Sequence, residues 1–148
     1  MKKALRLIYG IICYVIFLVS FLYAIGFVGD FLVPRTVNNG PEAPLPTALL
    51  FNIGLLGLFA IQHSVMARDG FKRWWTRIVP ESVERSTYVL LTSLILLLIF
   101  WQWRPISATV WNLTGTPWAT VLWVVFGLGW LVVLVSTYMI DHFKLFGL

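Results

Sequence analysis

The pattern of hydrophobic and polar positions divides the chain into four long apolar runs with polar segments between them. Residues 7–29, 43–67, 86–103 and 105–140 contain no Asp, Glu, Lys or Arg. A helix needs about 20 apolar residues to cross a bilayer. We therefore predict four transmembrane helices, at Leu5–Phe27, Pro46–Ala67, Arg85–Trp103 and Pro117–Ile140. The predicted fold class is all-α: a polytopic membrane protein built as a bundle of about four helices, with residues 1–148 as one domain.

The composition places this bundle in a lipid bilayer. The chain is 59% hydrophobic and 11% charged, whereas soluble domains carry about 25% charged residues. The net charge of +5 comes largely from cations before the first helix and between the second and third. Positive residues accumulate on the cytoplasmic side of membranes, so we predict an integral protein of a bacterial inner membrane with both termini cytoplasmic. A nucleic-acid partner is not expected, because no clustered basic face on a soluble module is visible.

The densest run of ionisable groups extends from Gln62 to Tyr88, between and into the second and third helices. Polar groups at membrane depth are costly and are therefore a functional-site hypothesis. His63 lies eleven residues after Asn52, nearly a whole number of helical turns, so we expect both on one face. Small residues on that helix should allow another helix to approach closely; they are Gly57, Ala60, Ser64 and Ala67. His63 either makes a structural hydrogen bond between helices or lines a substrate or cofactor site.

The start of the third helix carries a second polar group. Glu81 precedes Arg85 by four residues, the favourable order for a helical ion pair. Tyr88 follows Glu84 by four residues and Arg85 by three, so the three side chains share a face. This arrangement predicts either an interfacial anchor with side chains extending to water or part of an active site.

Other polar positions have simpler interpretations. Cys13 is the one cysteine, and the two histidines are far apart, so no metal site is expected. Tyr138, Asp141 and His142 are expected on one helical face. Thr116 and Pro117 predict a helix start, with a hydroxyl cap followed by proline at the first helical position.

Several stretches of this polar region resemble a known family. They are similar to the membrane methyltransferases that convert methanethiol to dimethyl sulfide, which are related to NnrU-like proteins and isoprenylcysteine carboxyl methyltransferases. The matching stretches are residues 62–68, 70–77, 84–89 and 100–105. The resemblance implies S-adenosylmethionine as the cofactor and a small apolar thiol, such as methanethiol, as the substrate, which could reach the site from the bilayer.

Methyl transfer to a thiol requires a thiolate in line with the methyl group. A free thiol with a pKa of about 8.5 is mostly protonated at neutral pH, and a nearby base or cation raises the thiolate fraction. The chain's concentrated supply of such groups gives the candidate catalytic residues, which are His63, Arg68, Glu84, Arg85 and Tyr88. The sequence leaves their individual roles open.

The resemblance covers only the N-terminal half of the family. The family's donor site is implied to lie in a following segment with an Arg-His-Pro-x-Tyr motif and a Glu-Glu pair, and neither motif occurs here. We therefore expect a truncated reading frame or fragment that does not bind the donor alone. Two classes of function stay open: a methyltransferase, or its N-terminal part, and a non-catalytic four-helix scaffold or subunit. The oligomeric state also stays open.

Overall fold

The computed structural model describes residues 2–106, 108–109 and 111–147. Its helices are α1 (Lys2–Gly29), α2 (Leu45–Met66), α3 (Asp69–Trp75), α4 (Glu81–Gln102), α5 (Pro117–Ile140) and α6 (His142–Leu145). Four of them, α1, α2, α4 and α5, are long and apolar enough to cross a membrane. Within the described residues the regular structure is entirely helical, with one isolated bridge between Thr36 and Asn39. The all-α membrane fold is thus confirmed.

The ends of α1, α2 and α4 differ from the predicted bounds by one to four residues, and α5 has the predicted bounds. Helix α4 begins at Glu81, directly after Pro80, and takes both Glu81 and Glu84 into its first turn, where the helix dipole favours acidic side chains. Helix α5 begins after Thr116 with Pro117 in its first turn, but the hydroxyl cap is wrong. The Thr116 hydroxyl instead donates a hydrogen bond to the Leu113 carbonyl, at 2.7 Å.

Helix α4 packs against both α1 and α2. Tyr9 and Thr87 bond through their hydroxyls at 3.0 Å near the starts of α1 and α4. The rings of Phe27 and Phe100 lie 4.9 Å apart near the ends of the same helices. Helices α1 and α4 are therefore parallel, and α2, which joins them through loops, runs antiparallel to α4. We call the end with α3 the basic end of these helices, and the end with residues 30–44 the loop end.

The contact between α1 and α4 is a seam of buried residues that recur every seven positions. The seam residues are Cys13, Ser20 and Phe27 on α1 and Ser86, Ser93 and Phe100 on α4. The small members let the two backbones approach closely. Ser20 and Ser93 donate their hydroxyl protons to carbonyls one turn earlier in their own helices, each at 2.8 Å. Their polar atoms are thus satisfied without a partner across the seam.

The packed face of α2 is not the face predicted from its small residues. Ala60, Ser64 and Ala67 are exposed, and among the described residues no atom outside the adjacent backbone of α2 lies within 4 Å of where a Cβ would stand at Gly57. The buried positions of α2 are Ala48, Asn52 and Met66, and Leu55 and Phe59 pack on the cluster around Phe27 and Phe100. The prediction of close helix approach at the small residues is wrong in these described parts, because large side chains form the contact with α4.

A polar turn closes the loop end of α1. Asp30 and Leu32 both have φ of 59°, and the Asp30 carboxylate accepts hydrogen bonds from the Thr36 hydroxyl and the Asn38 amide. These two hydrogen bonds lower the pKa of Asp30 below its ordinary value. The ionised carboxylate therefore stabilises this turn.

The chain divides into two compact units. Residues 2–106 with Phe146 and Gly147 form the first unit. In it the Phe146 ring stacks on Phe17 at 4.0 Å, and the Gly147 carbonyl accepts the Ser86 hydroxyl proton at 3.0 Å. A Cβ on Gly147 would lie 2.5 Å from the Ser86 hydroxyl oxygen. Phe146 and Gly147 thus pack on α1 and α4, and the close contact with Ser86 requires glycine at position 147.

The second unit comprises the described residues between 108 and 145 and contains α5 and α6. Helix α5 has no buried residue. It ends at Ile140 and is followed by Asp141, which has φ of 96° in the left-handed region. The expectation that Tyr138, Asp141 and His142 share one helical face is wrong for Asp141, because the helix breaks there. Tyr138 and His142 still stack, with ring centroids 4.2 Å apart.

Candidate functional site

His63 and Tyr88 meet across α2 and α4, near the basic end of both helices. The Tyr88 hydroxyl lies 2.9 Å from His63 Nδ1 and 3.3 Å from the His63 carbonyl oxygen. The His63 ring also stacks on Phe59, with centroids 5.4 Å apart and planes at 14°. The imidazole is therefore held on one side by an aromatic ring and on its edge by a phenol.

The two contacts of the Tyr88 hydroxyl constrain the proton on His63. A phenol has one proton, and a carbonyl can only accept. Both contacts are satisfied when Tyr88 donates to the His63 carbonyl and accepts from Nδ1–H. The carbonyl is available because His63 lies in the last turn of α2, whose carbonyls lack intrahelical donors. In this arrangement the lone pair of the imidazole is on Nε2.

The position of His63 also makes its ring accessible. His63 lies in the last turn of α2, and its side chain is exposed at the surface of this unit. A molecule arriving from the bilayer or from water could therefore reach it.

The remaining candidates lie around this contact at the basic end. Glu84 and Arg85 are half-buried in the first turns of α4, and their charges act on Tyr88 with opposite sign. Arg68 is exposed and precedes α3, where its carbonyl accepts the Lys72 N–H at 3.0 Å. The structure thus groups His63 and Tyr88 by direct contact, with Glu84 and Arg85 near Tyr88, and places Arg68 on the connecting segment.

A second polar group, missed as a site from the sequence, lies one turn deeper between the same helices. Gln62 Nε2 is 3.2 Å from Thr92 Oγ1 and 3.2 Å from Met66 Sδ. The Thr92 hydroxyl donates to the Tyr88 carbonyl at 2.9 Å. The spacing of Thr92 four residues after Tyr88 is a signal that could have found it, because residues four apart lie on one helix face.

Helix α3 gives the connecting segment an amphipathic character. Phe71 stacks on Trp75 with centroids 5.8 Å apart, and Trp74 is half exposed. The indole N–H of Trp75 is buried without a hydrogen-bond partner in the described parts of the chain. Lys72 and Arg73 occupy the last turn of the helix, where cations are favoured.

The second unit has its own histidine contact. The Thr137 hydroxyl donates to the Leu134 carbonyl at 2.7 Å, so it accepts from His142 Nδ1, also at 2.7 Å. His142 is buried. Among the described residues, no group of three or more His, Cys, Asp or Glu side chains could hold a metal ion.

S-adenosylmethionine does not fit the described residues around His63. Such a donor needs an enclosed site with partners for its adenine, its ribose and its carboxylate. His63 is exposed, and the Gln62 amide of the enclosed group already bonds to Thr92 and Met66.

Comparison with known proteins identifies relatives over the whole chain. The chain is 59% identical over 148 residues to the methanethiol S-methyltransferase of Mycobacterium tuberculosis, and the match covers 100% of this chain and 61% of that protein. It is 50% identical over 148 residues to the methanethiol S-methyltransferase of Crocosphaera subtropica, covering 100% of this chain and 58% of the relative. Nurim of Bos taurus is 34% identical over 106 residues, which are 68% of this chain and 40% of nurim.

The chain spans about three fifths of the length of the first two of these relatives. No family model matches it, and no solved structure matches it. The matches to the methyltransferases nevertheless include every residue of the His63–Tyr88 contact and of the Gln62 group, since they run over all 148 residues. This chain is therefore similar over its whole length to the methanethiol S-methyltransferases, in the part of those proteins that it covers.

Proposed function

We propose that this protein is the thiol-binding part of an integral membrane methyltransferase that methylates a small thiol such as methanethiol, giving dimethyl sulfide. The observation that carries the proposal is the His63–Tyr88 contact, in which an exposed imidazole is oriented by a phenol at 2.9 Å. It occurs in a chain 59% identical to a methanethiol S-methyltransferase.

In this proposal His63 takes the proton of the thiol. With Nδ1–H bonded to Tyr88, the lone pair on Nε2 accepts the S–H proton, and the sulfur becomes a thiolate. A thiol with a pKa of about 8.5 needs this help at neutral pH. The imidazolium that forms is stabilised by the C-terminal end of α2.

The other candidates have supporting roles. Tyr88 fixes the ring orientation and the tautomer of His63. Arg85 supplies positive charge that raises the thiolate fraction, and Glu84 limits the net charge at the start of α4. Arg68 stands at the beginning of the connecting segment, where it can attract an anion. Each of these roles is a proposal for a side chain at the basic end.

S-adenosylmethionine is the proposed methyl donor, on the strength of the family. The residues around His63 offer no enclosed donor site, so we assign none of them to it. Donor binding is proposed to involve segments of the family beyond those described.

We also propose that the basic end faces the cytoplasm of a bacterial cell, with both termini on that side. The distribution of Lys and Arg supports this orientation. Reporter fusions at Gly40 and at residues 78–80 test it. Gly40 should report a location outside the cytoplasm, and a cytoplasmic Gly40 would overturn the orientation.

The reaction is tested with methyl-labelled S-adenosylmethionine and methanethiol in nanodiscs. The 148-residue chain alone should release no labelled dimethyl sulfide above a protein-free control, because it offers no donor site near His63. The chain fused to the part of the Mycobacterium relative outside the match should release it. A folded fusion that binds donor but makes no product would contradict the proposed reaction.

The alternative function is a non-catalytic membrane scaffold or subunit. The observation in its favour is that the His63–Tyr88 hydrogen bond also ties α2 to α4. Under this alternative the bond serves the fold alone, so changes at His63 lower the amount of folded protein and there is no thiol methylation to lose. Separate measurement of folded protein and turnover distinguishes the two functions.

A further inference from the structure

We propose that Gln62, Thr92 and Met66 form a binding place for the sulfur of small thiols and thioethers, and that the Met66 side chain occupies it as an internal ligand. The inference rests on the proposed function for its biological role, because it names the residues that receive the thiol. Its physical basis is independent of that function and lies in the contacts of the Gln62 amide.

The donors of the Gln62 amide are directed at two acceptors. Its nitrogen is 3.2 Å from Thr92 Oγ1 and 3.2 Å from Met66 Sδ. A thioether has no proton to give, so the nitrogen of the amide, and not its oxygen, must face the sulfur. The Thr92 hydroxyl lies 2.9 Å from the Tyr88 carbonyl and 3.3 Å from the Gln62 side-chain oxygen. Because its one proton goes to the nearer acceptor, the Tyr88 carbonyl, Thr92 Oγ1 accepts from the Gln62 nitrogen. One N–H of Gln62 is therefore aimed at a sulfur atom.

The place is enclosed and of limited size. Met66 is 6% exposed, and Gln62 and Thr92 are half-buried between α2 and α4. The end of a methionine side chain is a CH2–S–CH3 group, which has the same C–S–C skeleton as dimethyl sulfide. A space that holds this group can hold a thiol with one carbon, and the space that Met66 fills sets an upper limit for larger ones.

Met66 can leave this place. Methionine has three rotatable side-chain bonds and adapts to irregular spaces, and Met66 is the last residue of α2. Its sulfur is a weak hydrogen-bond acceptor. A thiolate is a stronger acceptor, because hydrogen bonds to charged groups are roughly twice as strong as neutral ones. A thiolate in place of Met66 would therefore gain from the same N–H.

The position suits delivery of the thiol to His63. Gln62 is next to His63 in α2, and Met66 follows His63 by three residues, so it lies on a neighbouring part of the helix surface. Thr92 is one turn from Tyr88 and bonded to its carbonyl. The two polar groups thus occupy adjacent turns of the same pair of helices.

The test uses methyl-13C methionine in the 148-residue chain in nanodiscs. The chain has three methionines, Met1, Met66 and Met139, so three resonances suffice to follow it. Dimethyl sulfide is titrated as the probe, and pentane serves as a control that enters the bilayer without offering an acceptor. The Met66 methyl resonance should shift with added dimethyl sulfide until it saturates. The Met139 methyl resonance, from a residue that is 82% exposed, should shift only in proportion to the dimethyl sulfide dissolved in the bilayer, without saturation.

The matched variants are Gln62→Leu and Gln102→Leu. Gln102 lies at the other end of α4, where its side-chain oxygen accepts from Arg104. Loss of one hydrogen bond should weaken the apparent affinity about five-fold in Gln62→Leu and leave it unchanged in Gln102→Leu. If Gln62→Leu does not fold, Gln62→Asn, which withdraws the amide by one methylene, carries the same expectation.

Parallel, non-saturating shifts of Met66 and Met139 would overturn the inference, as would equal effects of the two leucine variants or an equal response to pentane. The measurement contains no methyl donor and no turnover. Failure of methyl transfer would therefore leave the binding place intact, and an active enzyme without saturable binding would overturn only the binding place.

Discussion

Replacing Asn52 with leucine should loosen the join between α2 and the end of α4. Asn52 is 4% exposed. Its side-chain nitrogen donates to the Arg104 carbonyl at 2.7 Å, and its oxygen accepts the Arg104 N–H at 3.0 Å. Leucine has a similar size but makes neither bond, so two backbone groups just beyond α4 lose their partner.

The magnitude follows from the number of bonds and their surroundings. Interhelical hydrogen bonds in membrane proteins average about 0.6 kcal/mol and reach about 1.7 kcal/mol. Two bonds to one buried side chain should therefore contribute about 1–3 kcal/mol to the free energy of unfolding. The Arg104 guanidinium lies 5.3 Å from the Phe51 ring centroid, and this contact is retained in the variant.

The assay is reversible unfolding in mixed micelles, followed by circular dichroism across a denaturing-detergent series. Asn112→Leu is the matched control, because Asn112 is exposed and its oxygen accepts only a local bond from the Thr114 N–H at 2.8 Å. A change below about 0.5 kcal/mol in Asn52→Leu, within the range of an ordinary surface substitution, would refute the reasoning.

Three further predictions follow from single contacts. Asp30→Asn should lower thermal stability at pH 7. The pKa of Asp30 is lowered in the folded state, so stabilisation by its carboxylate is present above the unfolded aspartate pKa of about 3.9 and is lost as the pH falls through the folded pKa. At a pH below the folded pKa the variant and the parent should therefore be equally stable. Gly147→Ala should release the Phe146 contact, because a φ of 84° and a Cβ 2.5 Å from Ser86 Oγ are both unfavourable for alanine. Proteolysis near residue 146 should then be faster in Gly147→Ala than in the control Gly129→Ala, whose Cβ has open space. Tyr88→Phe should slow turnover of the active fusion about 10-fold or more by freeing His63, whereas Tyr138→Phe should not, and equal rates would contradict the orienting role.

The helices could be predicted from the sequence because each span must bury its own backbone hydrogen bonds in an apolar run. The sequence does not predict which of these helices pack against each other. The small residues of α2 pointed to a close approach there, but the close seam lies between α1 and α4 and includes Cys13, Ser20 and Ser93. Serines whose hydroxyls bond to their own helix pack as small residues, and this depends on rotamers that the sequence does not show.

The candidate site was predictable in part for the same reason. Helical spacing groups His63 with Asn52 on α2 and Tyr88 with Glu84 and Arg85 on α4, but it does not predict the hydrogen bond between His63 and Tyr88. The Gln62–Thr92 bond depends on the register between two antiparallel helices, which spacing within one helix cannot give. The break at Asp141 depends on a left-handed backbone at a non-glycine residue, which the uninterrupted apolar pattern conceals.

The most direct test of the central claim compares turnover and folding for His63→Gln and Arg85→Lys in the active fusion. Labelled dimethyl sulfide release and melting temperature are measured on the same preparations. If these residues serve the thiol, turnover falls at least about 10-fold, a loss of about 1.4 kcal/mol in transition-state stabilisation, while melting temperature and yield stay at the parent values. Unchanged turnover, or turnover that falls only in step with the amount of folded protein, would contradict the claim.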